Sequence, residues 1–199
     1  RTIKEKIRQR LIGQGYSEIV TYTLTNRAVL EKTLLANSPV LPVKNPLTQE
    51  QELMRPAILP SFLSVVLLNL NRGQRDLRFF EIAKTYSPDG TERERLGLVL
   101  TGETTQDWRA RPQTETISFY DLKGTLAQVF EAFDLKDLSW TAIDDQIFSS
   151  GESAALQFGA QEIGRFGKIS RDILRRWDIK HTDVLFAEIA RAHQLLDAS

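Results

Sequence analysis

Four arginines and one glutamate carry most of the chemistry that this sequence could perform. Arg72, Arg75 and Arg78 follow one another at three-residue spacing, Arg55 lies upstream, and Glu81 stands three residues beyond Arg78. A guanidinium grips phosphate or carboxylate through two parallel hydrogen bonds, so a cluster of this kind suits a nucleotide or adenylate site. Residues 69–86, NLNRGQRDLRFFEIAKTY, break at Gly73 and then set Arg78 and Glu81 among Phe79, Phe80 and Tyr86. Such a strand is either catalytic or the remnant of a catalytic strand. The plainer account has Arg72 and Arg75 solvating a helix end and Arg78 pairing with a neighbouring acid, and composition alone favours it.

Other chemistries lack their residues. The two histidines, His181 and His193, are twelve apart with no H-E-x-x-H spacing, and there is no cysteine, which excludes disulfides, thiolate-bound zinc and a thiol nucleophile. No phosphate-binding G-x-x-x-x-G-K-[ST] or G-x-G-x-x-G run occurs; Gly159, Gly164 and Gly167 fall in a hairpin pattern where glycine marks turns and bulges. The pair Asp144–Asp145 reads as a solvated turn in preference to a Mg²⁺ site. Lys+Arg and Asp+Glu both number 26, so any contact with nucleic acid must be local; no DNA partner is expected. No apolar run approaches the ~20 residues of a membrane helix, and the first ten residues have no signal-peptide core, so no membrane partner is expected either. Lack of cysteine fits a reducing, cytoplasmic setting. The chain opens without Met and already in helical pattern, and is expected to be a piece of a longer protein.

The elements that would position these residues are legible in outline. Thr2 and Glu5 form a capping box for a helix whose Ile3, Ile7 and Leu11 make a narrow apolar stripe, ended by Gly13 and Gly15. Residues 16–24 read as a strand, and 26–37 as a short helix capped by Asn26. Pro39, Pro42 and Pro46 keep 40–46 extended, and 53–59 reads as extended too. Pro60 suits the first turn of a helix whose apolar residues run almost all round, which predicts a buried spine. Residues 76–86 and 95–101 are strands joined by the turn Ser87-Pro88-Asp89-Gly90; Leu96, Leu98 and Leu100 alternate on one face. An irregular stretch, 102–116, carries Trp108. Asp121 is expected to cap a helix with Leu122, Leu126, Val129, Phe130 and Phe133 on one side. Strands at 138–143, 154–158, 162–169 and 184–189 follow, then a helix at 190–196. Hairpins with helices between them predict an α+β fold on a mainly antiparallel β-sheet flanked by helices, within a single domain spanning 1–199.

Four segments together carry a resemblance: NPLTQEQELMRPAILPSFL (45–63), NLNRGQRDLRFFEIAKTY (69–86), FYDLKGTLAQVF (119–130) and EIGRFGKI (162–169). Their order and spacing resemble the class II synthetase-like core domain of the phenylalanyl-tRNA synthetase β subunit, over most of the chain. That family usually carries F-H-P-G-R-S-A before the final hairpin. Here Phe148-Ser149-Ser150-Gly151-Glu152-Ser153-Ala154 stands in its place, so the His, Pro and Arg positions have changed.

The resemblance implies a class II aminoacyl-tRNA synthetase-like sheet of six or more strands. It implies a catalytic α subunit as partner in an (αβ)₂ assembly that handles tRNA(Phe). ATP and Mg²⁺ would be bound by that α subunit, with no cofactor held by this domain. Residues 3–24 look like motif 1, which makes subunit contacts; Ile3, Ile7, Leu11, Gly15, Tyr16 and Glu18 are then interface candidates. Asn45, Pro46, Arg55, Arg72, Asp76, Arg78 and Glu81 fall in the family segments around a motif 2-like strand.

Spacing bears separately on catalytic competence. A working motif 2 has Arg-x-Glu, two residues apart and on one face of the strand, whereas Arg78 and Glu81 are three apart and go to opposite faces unless a bulge intervenes. The motif 3 counterpart, 185–191, has no glycine to admit ATP, and Arg191 is its one nearby arginine. Three readings are carried forward: a non-catalytic core that scaffolds a catalytic partner, an ATP-binding, carboxylate-activating domain using Arg55, Arg78 and Glu81, and a free-standing binding module.

Overall fold

The computed structural model describes residues 2–105, 114–131 and 137–190. In chain order the elements are α1 (Ile3–Gly13), β1 (Ser17–Glu18), β2 (Leu24–Thr25), α2 (Arg27–Lys32), β3 (Leu41–Pro42), β4 (Leu53–Met54) and α3 (Leu59–Asn71). The hairpin β5 (Leu77–Tyr86) and β6 (Glu92–Thr101) follows, then β7 (Glu103–Thr105), β8 (Thr114–Thr116) and α4 (Phe119–Glu131). The chain continues through β9 (Leu138–Ala142), β10 (Phe148–Phe158), β11 (Gln161–Ile169), α5 (Arg171–Arg176) and β12 (Val184–Ala190). Among the described residues seven strands form the main sheet, in the order β1-β5-β6-β12-β11-β10-β9. All neighbours in it are antiparallel except β1 and β5.

Helices cover both faces. On one, Ile7 and Leu11 of α1 and Leu122, Leu126, Val129 and Phe130 of α4 pack on Phe80, Leu98, Leu156, Phe166 and Leu185. Phe119 stacks on Phe166 with ring centroids 5.1 Å apart, and Trp140 meets the same ring edge-on at 5.3 Å. On the other face, Phe62, Leu63 and Val66 of α3 and Ile173 and Leu174 of α5 pack on Leu77, Val99, Val184 and Phe186. Strand alternation feeds both layers: Leu96, Leu98 and Leu100 go to the α1/α4 side and Val99 to the α3 side.

Several local expectations are corrected. The strand expected over 16–24 is broken into β1 and β2, because Thr21 turns inward to bond Glu81. The helix expected over 26–37 ends at Lys32, where Thr33 folds its hydroxyl back onto the Leu30 carbonyl at 3.0 Å and Leu34 takes φ +60°. Of 40–46 only Leu41–Pro42 pairs as a strand, and Asn45 turns the chain at φ +61°. Strand pairing over 53–59 stops at Met54, and α3 begins at Leu59. This helix is no all-round spine: Ser64 and Leu68 face solvent. Part of the irregular stretch pairs, as the ribbon β7–β8. Asp121 lies inside the first turn of α4 and reaches back, its Oδ2 accepting from the Ser118 amide at 2.7 Å and hydroxyl at 2.8 Å. Trp108, Phe133, Arg191, His193 and most of the helix expected over 190–196 lie outside the described residues.

The α1 stripe also resolves. Ile7 and Leu11 are at 1% and 0% exposure inside the domain's own core, and Ile3 packs at its edge, so the two buried side chains are not available to a partner. Leu11→Ala should therefore cost about 2–5 kcal/mol in urea unfolding. Ile12→Ala, at the exposed neighbouring position, should stay within about 0.5 kcal/mol. Equal effects at the two positions would contradict this packing.

Candidate functional site

The candidate motif residues do not converge as a set. β5 pairs with β6 without a register break from Leu77 to Tyr86, so its side chains alternate strictly. Phe80 and Ile82 belong to the α1/α4 core, while Leu77, Phe79 and Ala83 belong to the α3 core. Arg78 therefore projects with Phe80, and Glu81 with Phe79, to opposite faces of the sheet. Arg78 is half-buried beside Tyr16, whose hydroxyl lies 3.1 Å from Thr125 Oγ1 and whose phenol burial pushes up. Arg72 and Arg75 are exposed at the end of α3 and in the turn that follows. Asp76 is exposed as well, its Oδ1 accepting the Glu103 amide at 2.9 Å. Asn45 and Pro46 lie in an exposed loop; Gly15 makes the positive-φ turn after α1, Tyr16 is buried, and Glu18 accepts from Arg8 at 2.8 Å.

What the fold does bring together is Arg55 with Glu81. The Arg55 side chain is 2% exposed and Glu81 6%, with Nη2 and Oε1 at 3.5 Å. Arg55 Nε donates to the Lys84 carbonyl at 2.8 Å; Nη1 donates to Thr21 Oγ1 at 2.6 Å and, at 3.3 Å each, to the Tyr22 carbonyl and Ser61 Oγ. Glu81 in turn accepts from the Thr21 amide at 3.1 Å and hydroxyl at 2.6 Å. Thr21 Oγ1 thus accepts from the guanidinium and donates to the carboxylate. These contacts tie α3, β5 and the segment after β1 into one knot.

A second acid lies along the same row. Glu81, Gly97, Glu188 and Arg165 are successive register partners on β5, β6, β12 and β11. Gly97 leaves a gap that Ile58 fills: a Cβ there would sit 2.3 Å from Ile58 Cδ1. Glu188 Oε2 accepts the Ile58 amide at 3.2 Å, and Oε1 lies 3.5 Å from Arg95 Nε. Burial pushes the Glu188 carboxyl up, against the pull of Arg95, the Ile58 amide and Arg55. Sequence reasoning missed Arg95, Gly97 and Glu188; the available signals were a lone carboxylate inside the apolar run VLFAEIA and a lone glycine inside LGLVL.

The remaining candidates are structural. Asp145 accepts the Ile147 amide at 2.9 Å and pairs with Arg165 at 2.8 Å. Gly164 and Gly167 sit where a Cβ would come within 2.9 Å of β12 and 2.8 Å of Ser153 Cβ, respectively. Glu152, at the changed family position, lies 3.2 Å from Lys168. Among the described residues no group of three His, Asp or Glu side chains could hold a metal ion, and no helix is long and apolar enough to cross a membrane.

Two measurements probe this row. Arg55→Met leaves Glu81 buried without its cation and should cost about 3–5 kcal/mol, with the Arg55→Met/Glu81→Met double variant losing clearly less than the sum. Additive losses would show that the pair does not act as a unit. For Glu188, the folded state holds its proton more tightly than the unfolded chain. Its contribution is therefore most favourable at acidic pH and is lost as pH rises from the unfolded carboxylate range through the raised folded value. Glu188→Gln should raise Tm more at pH 8 than at pH 4; the reverse order would refute the upward shift.

Comparison with known proteins places the chain. The model of the family described as the phenylalanyl tRNA synthetase beta chain CLM domain matches residues 1–190. The phenylalanine–tRNA ligase beta subunit of Fusobacterium nucleatum is 30% identical over 182 residues, which cover 88% of this chain and 23% of that protein. The beta subunit of Syntrophus aciditrophicus is 30% identical over 194 residues, covering 92% of this chain and 24% of that one. The chain thus spans about a quarter of the length of the curated relatives it matches. Among solved structures, pyrrolysyl-tRNA synthetase from Desulfitobacterium hafniense superimposes with a TM-score of 0.75 over 98% of this chain and 67% of its own, at 17% identity. A second structure of that synthetase gives 0.74 at 19% identity. At such identities the likeness speaks for the fold alone, an α+β fold shared with class II synthetases. The matched span and the two relatives together show that the chain belongs to the phenylalanyl-tRNA synthetase beta chain CLM domain family.

Proposed function

We propose that this domain is a non-catalytic core of the β subunit of a phenylalanine–tRNA ligase. It holds and orients the catalytic α subunit in a cytoplasmic (αβ)₂ assembly that attaches phenylalanine to tRNA(Phe). ATP and Mg²⁺ belong to the α subunit in this reading. The observation that carries it is the fate of the would-be catalytic groups. Arg78 and Glu81 face opposite sides of the sheet, and both Arg55 and Glu81 are spent on internal hydrogen bonds. The cavity left on the Glu188 side is about 250 Å³, below the roughly 300–1,000 Å³ of ordinary small-molecule sites.

The partner surface we assign is the β1 edge. Among the described residues Ser17 and Glu18 pair on one side only, with β5, and Ile19 donates to the Phe80 carbonyl at 2.9 Å. Because Thr21 points inward, its neighbours Val20 and Tyr22 stand at 92% and 82% exposure. Two large side chains so exposed beside an unpaired strand edge suit an aromatic-anchored interface. Arg72 and Arg75, exposed and without side-chain partners among the described residues, are the groups available to tRNA phosphates.

Two experiments test the reading. Val20→Asp and Tyr22→Asp should abolish co-purification with a phenylalanyl-tRNA synthetase α subunit while leaving Tm within a few degrees; normal pairing by both variants would remove the interface assignment. Titration of the chain with ATP and Mg²⁺ should give no saturable heat, and micromolar ATP binding would overturn the non-catalytic reading.

A further inference from the structure

β9 closes the main sheet at the end opposite β1, and among the described residues it pairs with β10 alone. The ladder fixes which of its backbone groups are used. The Asp137 carbonyl accepts from the Gly159 amide at 3.0 Å, and the Ile143 amide donates to the Ser153 carbonyl at 3.4 Å. Asp137, Ser139, Thr141 and Ile143 therefore direct their N–H and C=O groups toward β10. By antiparallel alternation Leu138, Trp140 and Ala142 direct theirs away from the sheet, each with one donor and one acceptor left for a further strand.

Outer strands are ordinarily guarded against such pairing by lysine, proline, a bulge or a covering element. The run Leu138–Ala142, LSWTA, contains neither lysine nor proline, and its register with β10 is unbroken. Its side chains alternate. Leu138 and Trp140 are half-buried at the margin of the α1/α4 core, while Ser139 and Thr141 are exposed. A strand laid alongside would extend that margin, because residues directly across from Leu138 and Trp140 present their side chains on the same face.

Charge selects the occupant. Asp137 and Asp144 stand exposed at the two ends of the edge, and no Lys or Arg occurs from 137 to 147. The cation contributed by α4, Lys123, is engaged over the Trp140 ring at 5.8 Å. We propose that the β9 edge takes an extended segment of another protein by antiparallel strand addition, the segment being apolar on its Trp140 side and basic at both ends. The inference goes beyond the scaffold reading and does not depend on it, since β9 lies at the other end of the sheet from Val20 and Tyr22.

The test is isothermal titration of the acetylated, amidated peptide Lys-Val-Thr-Val-Thr-Val-Lys into the 199-residue chain, with no partner subunit present. Its valines fall across from Ala142, Trp140 and Leu138, and its lysines fall beside Asp144 and Asp137. Saturable one-to-one binding is expected. The same peptide N-methylated at every valine cannot donate to the outward carbonyls and should show no saturable binding. Glutamate in place of both lysines should weaken binding about tenfold or more, by an amount that shrinks at high salt. Ala142→Pro removes an outward amide and leaves the bonds to β10 intact, a placement that outer strands tolerate, so it should fold and lose the basic peptide. The N-methylated peptide keeps the test open should Ala142→Pro fail to fold. Absence of saturable binding to the folded wild-type chain would overturn the proposal. So would equal affinity for the N-methylated or the glutamate peptide, or undiminished affinity in folded Ala142→Pro. Dimerisation of the chain in sedimentation velocity that Ala142→Pro abolishes would overturn it too, by making a second copy the occupant.

Discussion

The buried guanidinium of Arg55 is the constraint on which this architecture depends. Moving a cation out of water costs several kcal/mol, and the cost is offset only if its donors all find acceptors. The acceptors here come from parts of the chain far apart in sequence: Thr21 and Tyr22 after β1, Ser61 in α3, and Glu81 and Lys84 in β5. The Arg55 backbone joins in, its amide donating to Thr23 and its carbonyl accepting from Tyr86. With the guanidinium fixed, the entry to α3 is fixed too. Ile58 then lies over Gly97, and its amide meets Glu188. A contact of two residues thereby sets the distance between a helix layer and three strands.

Strict alternation along β5 has the opposite effect, of separation. Glu81 joins the knot on the α3 side, while Arg78 is sent to the α1/α4 side, beside Tyr16. A bulge between them would have restored a common face, but the β5–β6 ladder runs without one. The strand that invites a catalytic interpretation on residue types alone therefore serves two different packing layers.

How much of this was legible depends on the range of the interactions involved. The β5–β6 hairpin was, because period-two alternation and the Ser-Pro-Asp-Gly turn are local signals, and the split between Arg78 and Glu81 follows from counting. The α1 and α4 stripes were legible as stripes. Periodicity could not say whether Ile7 and Leu11 meet their own sheet or another chain, since both burials look the same in sequence. The break after β1 was hidden because β-rich propensity at 16–24 is overridden by Thr21 bonding a carboxylate sixty residues away. Arg55–Glu81 and Arg95–Glu188 were hidden for the same reason: nothing in the local sequence of one partner marks the other. Glu188 left the faintest mark, a charged residue in an otherwise apolar strand.

Thr21 has a thermodynamic consequence of its own. One residue joins the interior knot to the outer edge, because the bonds that draw its side chain inward also turn Val20 and Tyr22 outward. Folding of the knot and occupation of the edge are therefore linked equilibria. Any ligand that binds only the ordered edge must stabilise the Arg55 cluster by the same free energy, about 2.7 kcal/mol at a hundredfold excess over its Kd. Loosening the cluster must, by reciprocity, weaken binding at the edge.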